Sequence, residues 1–597
     1  MKDNIKSRID SLRAKMAQDK INAVIIPQSD PHQSEYMASH WQVRRFFSGF
    51  TGSAGDLIVT ADKALLWTDS RYFIQAARQL EGTGIQLMKE GVPGTPSQYQ
   101  WLLDNLNSGD TIGIDTAVCS MSRYDDMERA LALKSLKIVH FDPAQIWEDR
   151  PALPKDKIFI HEEKYAGRSA KDKIADALAE ANKHAASKVF ISALDEIAWL
   201  LNIRSSDVKY NPVAHAFLFL SESESVLFVD EEKLTPEVKQ YLAEQGVKTA
   251  PYDALRDSPA FDFLRDSVLV DPTRNSRRVM SWVDVTVPGP SVVALAKAVK
   301  NETQIAGIRA AMERDGVALV KSFMEIERRL AIGEGLTELD VADILRKFRG
   351  EQPLFFDESF GTIAGYGPHG AIVHYEATPE TSSVIKTDNL LLIDSGAQYL
   401  DGTTDITRTI SLGKPTAEQR RDFTLVMKGH IALARAQFPE GTTGHQLDVL
   451  ARMFLWNNGL SYLHGTGHGV GHFLNVHEGP QSVRLNHVPV PLLPGMIVSD
   501  EPGIYRENVH GIRCENLILT IPSVSNEFGN FFKFETLTLF PFDLTLFDTT
   551  LMTPEEIEWV NNYHATVRAR LTPLLSSDER VWLELHTVPL ATTHKTL

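Results

Sequence analysis

The apolar positions of this chain change period repeatedly, and the changes mark its elements. The opening segment, MKDNIKSRIDSLRAKMAQDK, is a charged helical pattern, and NAVIIP after it reads as a buried strand. DLIVTADKALLWTD predicts the two strands of a hairpin, with a helix to follow from about Ser70. A proline-rich join, IWEDRPALPKDK, ends this α/β module near residue 150. A helix over 171–183 then leads into KVFISALDEIAWLLNIR and AFLFLSESESVLFVDEEK, which repeat the earlier order of elements. Two related α/β modules in tandem are therefore expected, with no short-period solenoid repeat. A third region opens with a long amphipathic helix in KAVKNETQIAGIRAAMERDGVALVKSFMEIERRL and continues through mixed helices and strands. Beyond residue 525, FFKFETLTLFPFD is strand-like. Thr553 followed by Pro554 and Glu556 is a capping-box start for a further helix, so the tail is expected to be folded.

Within the third region, LHGTGHGVGHFLNVHEGP carries His464, His468, His472 and His477 among glycines. Neither G-x-G-x-x-G nor G-x-x-x-x-G-K-[ST] fits these glycines, and H-E-x-x-H occurs nowhere in the chain. Four glycines in seven residues also make a poor helix. Period two remains: in an extended strand His464, Thr466, His468, Val470 and His472 would share one face, with bare backbone on the other.

Composition narrows the chemistry. A chain of 597 residues that is 43% hydrophobic holds two to four domains. Its net charge of -17 disfavours nucleic acid or an anionic membrane as a partner. Cys119 and Cys514 are the only cysteines, too few for a disulfide frame or a thiolate zinc site, so any metal must use oxygen and nitrogen ligands. The start has no apolar signal core and no run of about 18 apolar residues occurs, which gives the expectation of a soluble cytoplasmic protein. GFTGSAG is not G-x-S-x-G, which removes a serine-hydrolase elbow.

Carboxylates flank the histidine stretch. NLLLIDSGAQYLDGTTDITRTI places Asp394 at the end of one apolar strand and Asp405 at the start of the next. GMIVSDEPGIYRENVHGIRCENLILTI reads as a strand, a Pro-Gly turn and a returning strand, with Glu501 and Glu515 flanking the hairpin. Any one of these acids alone is best read as a solvated turn residue. Together, beside apolar strands, they would be costly to bury unless paired or cation-bound. Four carboxylates with an imidazole suit two divalent ions such as Mn²⁺, Mg²⁺, Co²⁺ or Zn²⁺. A water shared by the ions would ionise near neutral pH and attack a carbonyl, so hydrolysis is the implied reaction.

Taken together, HQSEYM, RRFFSGFTGSAG, WTDSRYFIQAA, SALDEIAWL, IDSGAQYLDGTTDITRT, LHGTGHGVG, NVHEGP, DEPGIY and ENLILT resemble the pita-bread metallopeptidases. The likeness is greatest to their three-domain cytosolic aminopeptidase P (Xaa-Pro aminopeptidase) type and covers essentially the whole chain. It implies an α/β (α+β) fold: two tandem creatinase-like N-terminal modules (1–148 and 149–298), then a pita-bread catalytic domain (299–597) with a C-terminal extension from about 525. All five ligand positions of the family are filled in order. By the resemblance Asp394 chelates one metal, His468 and Glu501 bind the other, and Asp405 and Glu515 bridge them. Glu501 is also the implied general base.

The same resemblance puts His374, in GAIVHYEA, on the substrate side, with His464 and His477 as substrate-contacting histidines. It gives His472 no role beyond structure. Arg71, in TDSRYF, matches an arginine that reaches a substrate site, either in its own subunit or in a partner's; by itself it reads as a solvated helix-start residue. Cys514 is expected to be buried, since neighbouring strand residues face opposite ways. The implied reaction is hydrolysis of the N-terminal Xaa-Pro bond of peptides. Manganese is the family's ion, with zinc or cobalt as alternatives, and a homodimer is the implied assembly. A prolidase restricted to dipeptides and a catalytically silent peptide-binding protein are the competing expectations. A silent protein should lack ligands, and this sequence lacks none.

Overall fold

A computed structural model describes residues 2–255, 267–283 and 286–591 of the chain. They form two compact units, one of residues up to Glu163 with Arg168–Val293, the other of Lys164–Gly167 with the chain from Ala294 onward. No helix among the described residues is long and apolar enough to cross a membrane.

The first unit contains two six-stranded sheets, and they repeat each other. In the first, Ala23–Ile26 pairs antiparallel with Asp56–Thr60 on one side and parallel with Thr111–Ile114 on the other. Ala64–Thr68 and Gln86–Lys89 extend one edge, and Lys137–His140 the opposite edge. In the second, Lys188–Ile191 takes the place of Ala23–Ile26, with the same neighbours in the same sense. The strands Ala23–Ile26, Ala64–Thr68 and Ala216–Ser221 are buried at every position, the mark of sheets covered on both faces. The tandem modules expected from the repeated pattern are present. The helix expected from about Ser70 begins instead at Phe73. Asp69 accepts a hydrogen bond from the Arg71 N–H, and its own carbonyl accepts from the Tyr72 N–H, so a turn occupies the intervening residues.

The second unit opens with the 30-residue helix Glu302–Ala331, started by an Asn301/Gln304 capping box. Leu390–Ser395 is the centre of a three-stranded antiparallel sheet, flanked by Ile363–Tyr366 and Ile406–Ser411. A six-stranded sheet runs in the order Gln437–Pro439, Gly529–Thr536, Asn516–Asn526, Ile497–Asp500, Gly467–Gly469, Glu478–Val483. Two expectations are corrected here. Pro502 and Gly503 do not form the hairpin turn; Gly503–Arg506 and His510–Arg513 make a separate hairpin, and the chain returns at Asn516 opposite Asp500. Glu501 and Glu515 are therefore the next residues across the neck. The strand in FFKFETLTLFPFD ends at Thr536; further on, the carbonyls of Phe540 and Pro541 accept hydrogen bonds from the buried Arg408 guanidinium.

The tail is folded as expected. Helix Pro554–Leu571 starts with the Thr553/Glu556 capping box, and its Tyr563 hydroxyl contacts Phe540 O and Arg408. Next to it, buried His564 accepts a hydrogen bond from the Phe542 N–H. Burial, reinforced by the nearby Arg408 charge, lowers the His564 pKa from 6.5 to about 3. A depressed histidine contributes stability that is present above its unfolded value and is lost as pH falls toward the folded one. Acidification from pH 6.5 toward pH 3 should therefore destabilise this unit by on the order of 4 kcal/mol through His564 alone. His564→Gln should flatten that part of the pH dependence in thermal or urea unfolding followed from pH 7 to pH 3.

Candidate metal centre

The local chain path explains how the ligand-type residues meet. The strand around His468 is shorter than the period-two pattern suggested, spanning Gly467–Gly469 only. A Cβ on Gly467 would lie 1.9 Å from Ser499 O, and one on Gly469 would lie 2.3 Å from Glu478 O, so both neighbouring strands press on bare backbone. Beyond His468 the pairing jumps from Ser482 to Glu478, a bulge that ends the regular alternation. His464 and His472 therefore lie outside the strand. His472 is buried.

Asp405, His468 and Glu515 offer ligand atoms that all lie within 4.8 Å of one another. His468 Nε2 is 3.4 Å from Asp405 Oδ2 and 3.5 Å from Glu501 Oε1. His468 Nδ1–H donates to Gly469 O at 2.9 Å, which fixes the ring and turns Nε2 toward the carboxylates. Asp394 completes the group from the end of its strand, where Arg513 Nη2 donates to Oδ2 at 2.6 Å. Asp394, Asp405 and Glu515 are buried, whereas the His468 and Glu501 side chains keep 21% and 18% of their exposure. The site thus has a carboxylate floor and a mouth formed by His468 and Glu501.

The electrostatics of these side chains call for cations. Burial, then the charges of Asp405, Glu501 and Asp394, hold the Glu515 carboxyl well above its ordinary range. Burial raises Glu501 to about 7 against the opposing pull of His468 and Arg513. Asp394 is likewise raised by burial, with Arg513 opposing. Burial disfavours charge on His468, but Asp405 and Glu501 outweigh it and raise that pKa to about 9. One imidazole and one guanidinium do not balance four carboxylates, and among the described residues Asp394 Oδ1 is buried without a hydrogen-bond partner. An oxygen-rich set with one imidazole and no thiolate fits a pair of hard or borderline divalent ions. Cys514 is buried, its thiol pushed up to about 12 by burial, as expected of a residue that packs and does not ligate.

Several supporting residues were not foreseen. Thr407 donates to Glu515 Oε2 at 2.8 Å and accepts from Arg513 Nε at 3.2 Å. Ser499 donates to Glu501 Oε1 at 3.1 Å and accepts from the His468 N–H at 3.0 Å. Thr407, Ser499 and Arg513 each lie two positions from Asp405, Glu501 or Glu515. Period-two alternation puts such neighbours on one face, and that signal could have found them. Tyr505 is a further addition: it accepts from Arg513 Nη1 at 2.9 Å and donates to His464 Nε2 at 2.8 Å.

The histidines expected on the substrate side are arranged around this group. The His477 ring stands edge-on to that of His468, with 4.3 Å between centroids. His464 joins the centre through Tyr505 and Arg513, and His374 follows Val373, whose carbonyl accepts from Arg513 Nη2 at 3.3 Å. Arg71 belongs to the first unit, where it pairs with Asp69 at 2.7 Å.

Comparison with known proteins agrees with this architecture. The family model of metallopeptidase family M24 matches residues 306–521, and that of its C-terminal region matches 530–590. Creatinase/prolidase N-terminal domains match twice, over 8–150 and 149–304. Aminopeptidase P2 of Arabidopsis thaliana is 41% identical over 96% of this chain and 86% of its own length. A probable Xaa-Pro aminopeptidase P of Laccaria bicolor is 42% identical over 98% of this chain and 94% of its own. The crystal structure of an X-prolyl aminopeptidase from Caenorhabditis elegans, described as a cytosolic enzyme with a di-nuclear active site, superposes with a TM-score of 0.94. It is 34% identical and covers 98% of this chain and 100% of its own. With two N-terminal domains, a carboxylate-histidine centre and relatives matched almost end to end, this chain belongs to the aminopeptidase P branch of metallopeptidase family M24.

Proposed function

We propose that this protein is a metal-dependent exopeptidase that hydrolyses the bond between the first residue of a peptide and a proline in second position. The observation that carries the reading is the group of buried Asp394, Asp405 and Glu515 with partly exposed Glu501 beside His468, whose charge the protein's own cations leave unbalanced. Proline in second position makes the scissile bond a tertiary amide with no N–H, so recognition must rest on shape and on groups that contact the carbonyl.

Asp394, Asp405, His468, Glu501 and Glu515 would hold two divalent ions. Manganese is proposed as the native ion, with zinc or cobalt as alternatives. When bound, such ions supply Lewis acidity and lower the pKa of water. Glu501, at the mouth, is proposed to take a proton from the attacking water and return it to the leaving proline nitrogen. Ser499 orients the Glu501 carboxylate from behind. His374, His464 and His477 are proposed to hydrogen-bond the substrate carbonyl and the tetrahedral intermediate. Gly465 O holds His464 Nδ1 and Tyr505 holds Nε2, so in that role His464 would exchange the Tyr505 contact for the substrate. Arg71 is proposed as a substrate-side arginine. The prolidase alternative is less well supported, since relatives carrying the name probable Xaa-Pro aminopeptidase P match nearly the whole chain.

A cytoplasmic homodimer is proposed as the working form. Val449, Met453 and Trp456 make an exposed apolar stripe along helix Gly444–Trp456, followed by exposed Leu463, and a second copy would cover it.

Chelation should abolish cleavage of an Xaa-Pro-Xaa tripeptide while circular dichroism stays unchanged, and add-back of single ions should restore it, manganese best. Glu501→Gln should lower kcat by about 10²- to 10⁴-fold, measured on protein whose metal content is determined in parallel. Trp456→Glu should convert a dimer to a monomer in light scattering.

A further inference from the structure

Glu338 is a carboxylate in the first turn of helix Glu338–Gly350, and its side chain is fully buried. Helix capping does not explain it, because Thr337 and Asp340 already form the capping box. Its two oxygens accept from four donors that all belong to the segment around His374. Oε1 accepts from the Tyr366 N–H at 2.8 Å and from His369 Nδ1 at 2.9 Å. Oε2 accepts from the Tyr375 hydroxyl at 2.9 Å and from the Ser383 N–H at 2.8 Å. His369 in turn stacks on Tyr375, with 4.4 Å between ring centroids.

This segment has little regular structure of its own. After strand Ile363–Tyr366 and the short 3-10 helix Gly367–Ala371, the chain forms no further helix or strand until Leu390, with a single antiparallel bridge from Val384 to Thr337. His374 lies in that stretch, and its two chain neighbours are each held by a different partner. The Val373 carbonyl is held by Arg513 Nη2, which also binds Asp394, and the Tyr375 hydroxyl is held by Glu338. The backbone at His374 is thereby tied to the metal-ligand side at one end and to helix Glu338–Gly350 at the other. A rotamer-rich loop held at both flanks loses its conformational entropy on folding and not on substrate binding.

We propose that Glu338 is a positioning residue for His374, acting from behind the loop through Tyr375, His369 and the backbone at Tyr366 and Ser383. The inference rests on the reading of His374 as a substrate-facing residue.

Glu338→Gln tests it at constant side-chain size. A glutamine replaces one acceptor oxygen with an NH₂ group, which must then face a backbone N–H, either that of Tyr366 or that of Ser383. On fully metal-loaded enzyme with an Xaa-Pro-Xaa tripeptide, kcat should fall about tenfold with KM changed less than about twofold and metal content unaltered. In a His374→Ala background the same substitution should cost less than about twofold, because the residue it positions is gone. Thermal stability should fall equally in both backgrounds. Tyr375→Phe removes one donor without leaving a buried mismatch; it should cost about threefold in the native background, again only there. If Glu338→Gln does not fold, the Tyr375→Phe pair decides by the same criterion.

Equal losses in both backgrounds, or no loss in either, would overturn the positioning role and leave the proposed function standing. Native turnover by His374→Ala would remove His374 from the substrate side, and Glu338's role with it. Tripeptide cleavage that survives chelation would instead sink the functional reading itself.

Discussion

Like charge confined in a low-dielectric interior is the constraint from which the second unit is built. Two unit charges about 4 Å apart repel by about 4 kcal/mol at an effective dielectric of 20, and folding leaves only about 5–15 kcal/mol in hand. Four carboxylates beside one another therefore cannot all be ionised on the strength of packing alone. Burial is the first cause of the upward shifts of Glu501, Glu515 and Asp394, and the neighbouring carboxylates add to it. Arg513 relieves part of it at Asp394, and Thr407 and Ser499 fix the carboxylates that remain. The price of this arrangement is a site that is satisfied only when cations enter.

The surrounding strands answer to that demand for placement. Asp405 and Asp394 come from strand ends in one sheet, while Glu501 and Glu515 face each other at the neck of a hairpin in another region. His468 arrives on a three-residue strand with glycine on either side, so its neighbours can approach to backbone contact. Arg513 spans these pieces: it touches Asp394, Thr407, Tyr505 and the carbonyl before His374. A residue that makes so many directional contacts from one rigid fork sets relative geometry more than it sets affinity.

Much of this was legible in the chain, and the limits have physical causes. Asp394, Asp405, Glu501 and Glu515 could be picked out because each adjoins an apolar strand, where a lone charge is anomalous. The tandem modules were visible because fully buried strands read as uninterrupted apolar runs. Alternation misled around His468, since glycines at every second position look like a long strand when close packing is their cause and a bulge ends the pattern at Gly469. The Pro-Gly pair misplaced the hairpin because a turn signal is local and the competing hairpin is longer. The division of labour among the histidines came from family likeness. Glu338 was invisible because it lies 36 positions before His374, and nothing local connects the two.

Arg408 carries a consequence for how this protein is made. Its guanidinium is buried, and its acceptors include Glu515 O, Asn516 Oδ1, Phe540 O, Pro541 O and the hydroxyl of Tyr563, 155 residues downstream. During synthesis at about 5–20 residues per second, the strand that bears Arg408 precedes its last partner by on the order of 10 s. Until then a charge destined for the interior must stay in water, and the strand next to Asp405 cannot close over it. The N-terminal modules, complete by then, can fold as they emerge, whereas the second unit must wait for nearly its whole length before Arg408 has all its partners.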